Sequence, residues 1–172
     1  MKTIDDIKKY AIGKHDLPTD SQRYGNAPYA YHLQAVVDIF NQYKYYIDEK
    51  YHEDIEKACW CHDLIEDTNV SVKDITLISN DFVSDIVYRV TNEMGYNRKE
   101  RNFKTYPKIW SNNFAIFVKL CDRIANTINS KTYGHKMFDV YKNEYPIFRY
   151  ALKCNNLYTD MWNELDELNE LK

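Results

Sequence analysis

Between Tyr29 and about Tyr45, Leu33, Val36, Val37 and Phe40 recur at the spacing of one face of a helix. Comparable stripes predict a short first helix over Ile4 to Ile12 and a third over about Asp54 to Asp67. Short helices follow near Val72 to Ser79 and Asp81 to Thr91. A long helix grows from the apolar run Phe114 to Leu120 and ends near Ser130. Two more, near Met137 to Leu152 and Leu157 to Leu171, close the chain. "HDLPTDSQRYGNAP" reads as loop, punctuated by Pro18, Gly25 and Pro28. "NEMGYNRKERNFKTYPKIW" reads as basic and irregular, with one helical turn or two. The chain shows no internal repeat, linker or low-complexity segment. The pattern predicts an all-α fold, one helical bundle over residues 1–172.

Composition narrows this only slightly. Apolar residues make up 44% and charged residues 28%, ordinary for a soluble globular protein. Four Gly and four Pro leave few turns, which favours helices. The sixteen Tyr are unusual, and a coding bias toward Tyr, Lys, Asn and Ile explains them as well as any binding need does. A net charge of −3 argues against coating nucleic acid by bulk electrostatics but leaves room for a local basic patch and a small anionic substrate. No segment approaches the ~18 apolar residues of a membrane span, and the charged N-terminal stretch is no secretory signal. Cys59, Cys61, Cys121 and Cys154 lack zinc-ribbon spacing, so unpaired thiols in a reducing cytoplasm are expected.

The chemistry gathers in "ACWCHDLIEDTN". On a continuous helix, with His62 at zero, Asp63, Glu66 and Asp67 fall at about 100°, 40° and 140°. They share a face, opposite Ala58, Cys61, Leu64 and Ile65, which form the packing side. Three acids and a histidine on one face repel one another unless a cation joins them. A solvated polar helix end remains the plain alternative. Cys59 falls on the ligand side one turn earlier but is not counted as a ligand. His32 shares a face with Val36 and Ile39, where a histidine is more often a core residue than a ligand. Asp122 follows the apolar run Phe114 to Leu120, with Asn126 one turn on, and could equally pair with Arg123.

Together His32, His62-Asp63 and Asp122 resemble the HD phosphohydrolase superfamily. "CHDLIEDT" resembles the "LHDxxEDT" motif of the RelA/SpoT-type hydrolase domain and its small, free-standing alarmone hydrolases. "RYGNAPYAYH" resembles their "RKSGxPYxxH", and "VKLCDRIANT" their "VKLADRLxNM". "VTNEMGYNRKERNFKTYPKI" is similar to the corresponding segment of single-domain members. The likeness runs from about Arg23 to Asn129 and is looser beyond. Two positions depart from it: Tyr24 stands where the long enzymes usually carry Lys, and Ile128 where Arg is frequent. Both lie near where the family holds its purine and phosphates.

The resemblance implies an HD-type helical bundle that hydrolyses the 3′-pyrophosphate of (p)ppGpp or a related purine alarmone. It implies His32, His62, Asp63 and Asp122 as ligands of one divalent metal. Two nitrogens and two carboxylates suit manganese. Glu66 and Asp67 would orient a water and accept its proton. Asn126 could donate to a ribose or phosphate oxygen, and Arg23 with Tyr24 could sandwich the purine. Lys99, Arg101 and Lys104 would supply positive potential, and Tyr145 matches an aromatic substrate contact loosely. Loop residues in solvent and a solvated basic turn are the plain alternatives for Arg23-Tyr24 and for that cluster. Competing functions are hydrolysis of another nucleotide (a cyclic signalling nucleotide, a deoxynucleotide or NADPH) and a degenerate domain that binds without turnover. The expected partner is a small purine nucleotide, neither nucleic acid nor membrane. The oligomeric state is not legible.

Overall fold

The computed structural model describes residues 2–16, 23–134 and 136–170. They form an all-α bundle with one small hairpin. Helix α1 (Ile4–His15) starts at Thr3, whose hydroxyl accepts from the Asp6 N–H while Asp6 accepts back from the Thr3 N–H. This reciprocal cap satisfies two N–H groups that a helix start leaves unpaired. The expected loop lies partly outside the described residues, at 17–22. Its end forms β1 (Arg23–Tyr24) and β2 (Ala27–Pro28), an antiparallel pair turned at Gly25, whose φ of +61° suits glycine.

Helix α2 (Ala30–Tyr43) follows and buries Leu33, Val36, Val37 and Phe40 as the spacing predicts. After two single 3₁₀ turns come α3 (His52–Cys61) and α4 (Leu64–Asp67). The single helix expected over Asp54 to Asp67 is therefore two, broken at His62-Asp63. Asp63 sits at φ −101° and ψ −1°, off helical values. Helices α5 (Val72–Ile78) and α6 (Asp81–Val90) are capped by Ser71 and Asn80.

The segment expected to be irregular holds the thirteen-residue helix α7 (Arg98–Trp110), capped by Asn97. Pro107 stands inside it, at a typical cost of ~3 kcal/mol in a helix interior. Burial of Thr105, Tyr106 and Ile109 offsets that cost. The helix was masked in the sequence by its basic residues and Pro107, although Phe103, Tyr106, Ile109 and Trp110 fall within about 120° of one another; of these Tyr106 and Ile109 are buried and Phe103 and Trp110 exposed.

Helix α8 (Asn113–Thr132) is the axis of the bundle. It packs against α2, α3, α6, α7, α9 (Met137–Leu152) and α10 (Thr159–Leu168). Ile116, Phe117, Leu120, Cys121 and Ile124 are buried along it. Each large apolar side chain so buried contributes about 1.5–3 kcal/mol. This core holds α2, the α3–α4 break and α8 side by side, with a polar residue of each turned to one point. Among the described residues, no helix is long and apolar enough to cross a membrane.

Candidate metal centre

The break between α3 and α4 does the local work. Adjacent residues on an unbroken helix diverge by about 100°. Here the His62 Nε2 lies 2.8 Å from Asp63 Oδ2. The other His62 nitrogen, Nδ1, is 2.8 Å from the Cys59 carbonyl oxygen. A carbonyl only accepts, so Nδ1 carries the hydrogen, and in the neutral ring Nε2 is left with a lone pair. His32 comes from the first turn of α2, and its Nε2 is 3.1 Å from that of His62 and 3.3 Å from Asp63 Oδ2. Donor atoms of His32, His62 and Asp63 all lie within 4.8 Å of one another. Asp122 of α8 brings Oδ1 to 3.4 Å from His32 Nε2 and 3.8 Å from His62 Nε2.

Two buried imidazole nitrogens and two carboxylates facing one another fit a divalent cation. Without one, they need protons. Burial opposes charge on His32, but hydrogen bonds with Asp122 and Asp63 outweigh it and raise its pKa to about 9. Burial likewise opposes charge on His62, yet Asp63 shifts it upward. Burial also works against ionised Asp63 and Asp122. The two histidines nevertheless hold Asp63 well below the usual carboxylate range, and Lys119 with His32 does the same for Asp122.

A polar cavity of about 370 Å³ opens on the cluster. Glu66 and Asp67 line it beside the ligand candidates. Glu66 is held by the Asn92 backbone N–H at 3.2 Å and side-chain amide at 2.8 Å. Burial, then the charges of Asp63 and Glu66, raise the Asp67 pKa to about 6. Asn126 also lines the cavity, and its amide donates to Asp122 Oδ1 at 2.5 Å. Arg23 and Tyr24 form one wall. The Tyr24 ring lies 4.8 Å from the His32 ring, and its hydroxyl donates to the Ala125 carbonyl at 3.3 Å.

The remaining expected contacts stand apart from this lining. Lys104 pairs with Glu100 at 2.6 Å, Arg101 is half-buried beside Gly95, and Lys99 lines a separate apolar groove between α7 and α9. Tyr145 is buried, its hydroxyl donating to Asp166 at 2.5 Å. Cys59 is wholly buried in the core, and all four cysteines are free.

Several residues at the site escaped the sequence reading. Arg98 and Arg123 line the cavity and share Glu144, at 2.5 and 3.4 Å. Lys119 reaches Asp122 Oδ2 at 2.7 Å. Tyr29 donates its hydroxyl to Asp63 Oδ2 and stacks on His15 at 4.5 Å. The available signal was spacing: Tyr29 precedes His32, and Lys119 precedes Asp122, by the three residues that bring side chains together on a helix face.

No family model matches the chain, and no curated protein matches it. Among solved structures, one described as "A metazoan ortholog of SpoT hydrolyzes ppGpp and plays a role in starvation responses" superposes with a TM-score of 0.79. The match covers 97% of this chain and 93% of that one, at 20% identity. The fold is thus that of a helical protein with a described hydrolase activity, and the cluster found here is a candidate divalent-metal site in it.

Proposed function

We propose that this protein is a metal-dependent pyrophosphohydrolase that removes the 3′-pyrophosphate of (p)ppGpp or its adenosine counterpart. The products would be pyrophosphate and a nucleoside di- or triphosphate. One observation carries the reading: the donor atoms of His32, His62 and Asp63 lie within 4.8 Å of one another, beside a cavity edged by two further carboxylates. The fold likeness to a protein described as hydrolysing ppGpp supports the substrate class.

His32, His62, Asp63 and Asp122 would hold the ion, with manganese favoured by their mixed nitrogen and oxygen donors. A divalent ion there supplies Lewis acidity, making water more acidic and offsetting charge on the phosphoryl group. Glu66, anchored by Asn92, orients the attacking water. Asp67 accepts its proton, a task suited to a carboxylate with a pKa of about 6. Arg23 and Tyr24 offer a cation and an aromatic face to a purine. Arg98 and Arg123 supply positive charge at the cavity, a task the sequence had assigned to Lys99, Arg101 and Lys104. Asn126, while holding Asp122, has a second amide hydrogen for a substrate oxygen.

The test is a nucleotide panel incubated with manganese-loaded protein, with products identified by mass. Pyrophosphate released from a 3′-pyrophosphorylated purine nucleotide is the expected product. Turnover only of cyclic, deoxy- or 2′-phosphorylated nucleotides would replace this substrate with another. No turnover of any would leave a binding domain.

A further inference from the structure

The cluster of acids poses a problem for the substrate proposed above. Asp63, Glu66, Asp67 and Asp122 all face the cavity that must admit a polyanion. A divalent ion would offset part of this charge. The protein needs a further cation near the reacting phosphorus, and the candidates differ sharply. Arg98 and Arg123 are both committed to Glu144. Arg23 stands on the exposed hairpin. Lys119 alone among these four touches the cluster, with its ammonium 2.7 Å from Asp122 Oδ2.

Two features make Lys119 more than a counter-ion. First, it binds Oδ2, whereas Oδ1 is the Asp122 oxygen that faces the histidines. Its charge therefore lies beside the candidate metal position, separated from it by one carboxylate. Second, Asp122 is the one hydrogen-bond acceptor recorded for it among the described residues. An ammonium has three hydrogens. Two remain for a ligand, and the side chain lines the cavity at 15% exposure. The ion pair with Asp122 holds the charge in place before a substrate arrives. Preorganised donors of this kind are effective where charge develops in a transition state.

We infer that Lys119 is a catalytic residue whose ammonium binds a non-bridging oxygen of the phosphoryl group under attack, acting beside the metal as a second fixed cation. The inference rests on the hydrolase reading above. In the step, a bond forms from water oxygen to phosphorus and the bond from phosphorus to the ribose 3′ oxygen breaks. The water's proton passes to Asp67, and the departing 3′ oxygen takes a proton from solvent. Lys119 remains an ammonium throughout and transfers nothing.

The experiment compares wild type with Lys119→Met, Lys119→Gln and Lys119→Arg, each checked for native helicity by circular dichroism. Manganese affinity is measured by calorimetric titration, and kcat on a 3′-pyrophosphorylated purine nucleotide at saturating manganese. Removing a donor of this type lowers kcat by about 100- to 1,000-fold. Met and Gln should show that loss while binding manganese as tightly as wild type or more so, because a neighbouring positive charge has gone. Arg should recover part of kcat. Weaker manganese binding with kcat restored at saturation would overturn the inference, leaving Lys119 as a support for Asp122. An Arg variant no faster than Met would also overturn it, since the charge would not matter. A wild-type protein that binds manganese but never cleaves the nucleotide would instead remove the hydrolase reading, and this inference with it.

Discussion

Tyr29→Phe removes a single oxygen from the neighbourhood of the candidate metal centre. The ring would keep its stack on His15 at 4.5 Å and its edge contact with His32 at 5.3 Å. The donor to Asp63 Oδ2 is lost, together with the hydroxyl's weaker interaction with Asp67. Hydrogen bonds to charged acceptors contribute about 1.5–3 kcal/mol. Loss of a group that orients a metal ligand typically weakens metal binding by about 10- to 100-fold, or about 1.4–2.8 kcal/mol at 1.4 kcal/mol per decade. The metal-free state loses the same hydrogen bond, so part of the cost cancels and the low end, about tenfold, is expected. The assay is calorimetric titration of metal-stripped protein with manganese, wild type beside variant, with circular dichroism to verify the fold. A natively folded Tyr29→Phe protein with wild-type affinity would refute the reasoning. Asp63 would then be oriented by the two histidines alone.

Metal analysis of His62→Ala and of Asp122→Ala should each show loss of the ion, and full occupancy in both would refute the ligand assignment. Glu66→Gln should keep the metal and lose kcat, as expected for an interaction realised in the transition state; unchanged kcat would remove its proposed role. Manganese affinity should rise with pH up to about 9, the pKa of His32, by about tenfold per unit for each proton displaced. The sign for stability is opposite in the metal-free protein. A histidine raised from 6.5 to about 9 stabilises the fold fully below pH 6.5 and ceases to do so as pH rises through 9. Thermal unfolding of metal-free protein should therefore occur at lower temperature across that window, with the decline absent when manganese is bound.

Much of this protein is written in local pattern. The apolar stripes of α2, α6 and α8 are legible because each of those helices buries one face, and a periodic stripe is the direct imprint of that burial. His62 and Asp63 stood out as polar groups directly after an apolar run, where burial needs a partner, whereas His32 and Asp122 each had a plain alternative and joined them as candidate ligands through the resemblance of the combined pattern to a known family. The α3–α4 break was not legible. Its cause is non-local, since it is set by the groups that His62 and Asp63 meet on α2 and α8, and propensity within "CWCHDLIED" does not encode them. Helix α7 was hidden because its basic residues and Pro107 mask a stripe that is only half buried, with Tyr106 and Ile109 inside and Phe103 and Trp110 outside. The basic residues of that segment show the same division. Sequence proximity grouped Lys99, Arg101 and Lys104, but the fold turned Arg98 to the cavity and drew in Lys119 and Arg123 from α8. Which charge faces a site depends on how helices rotate against one another, and that is decided by the packing of their apolar faces in three dimensions.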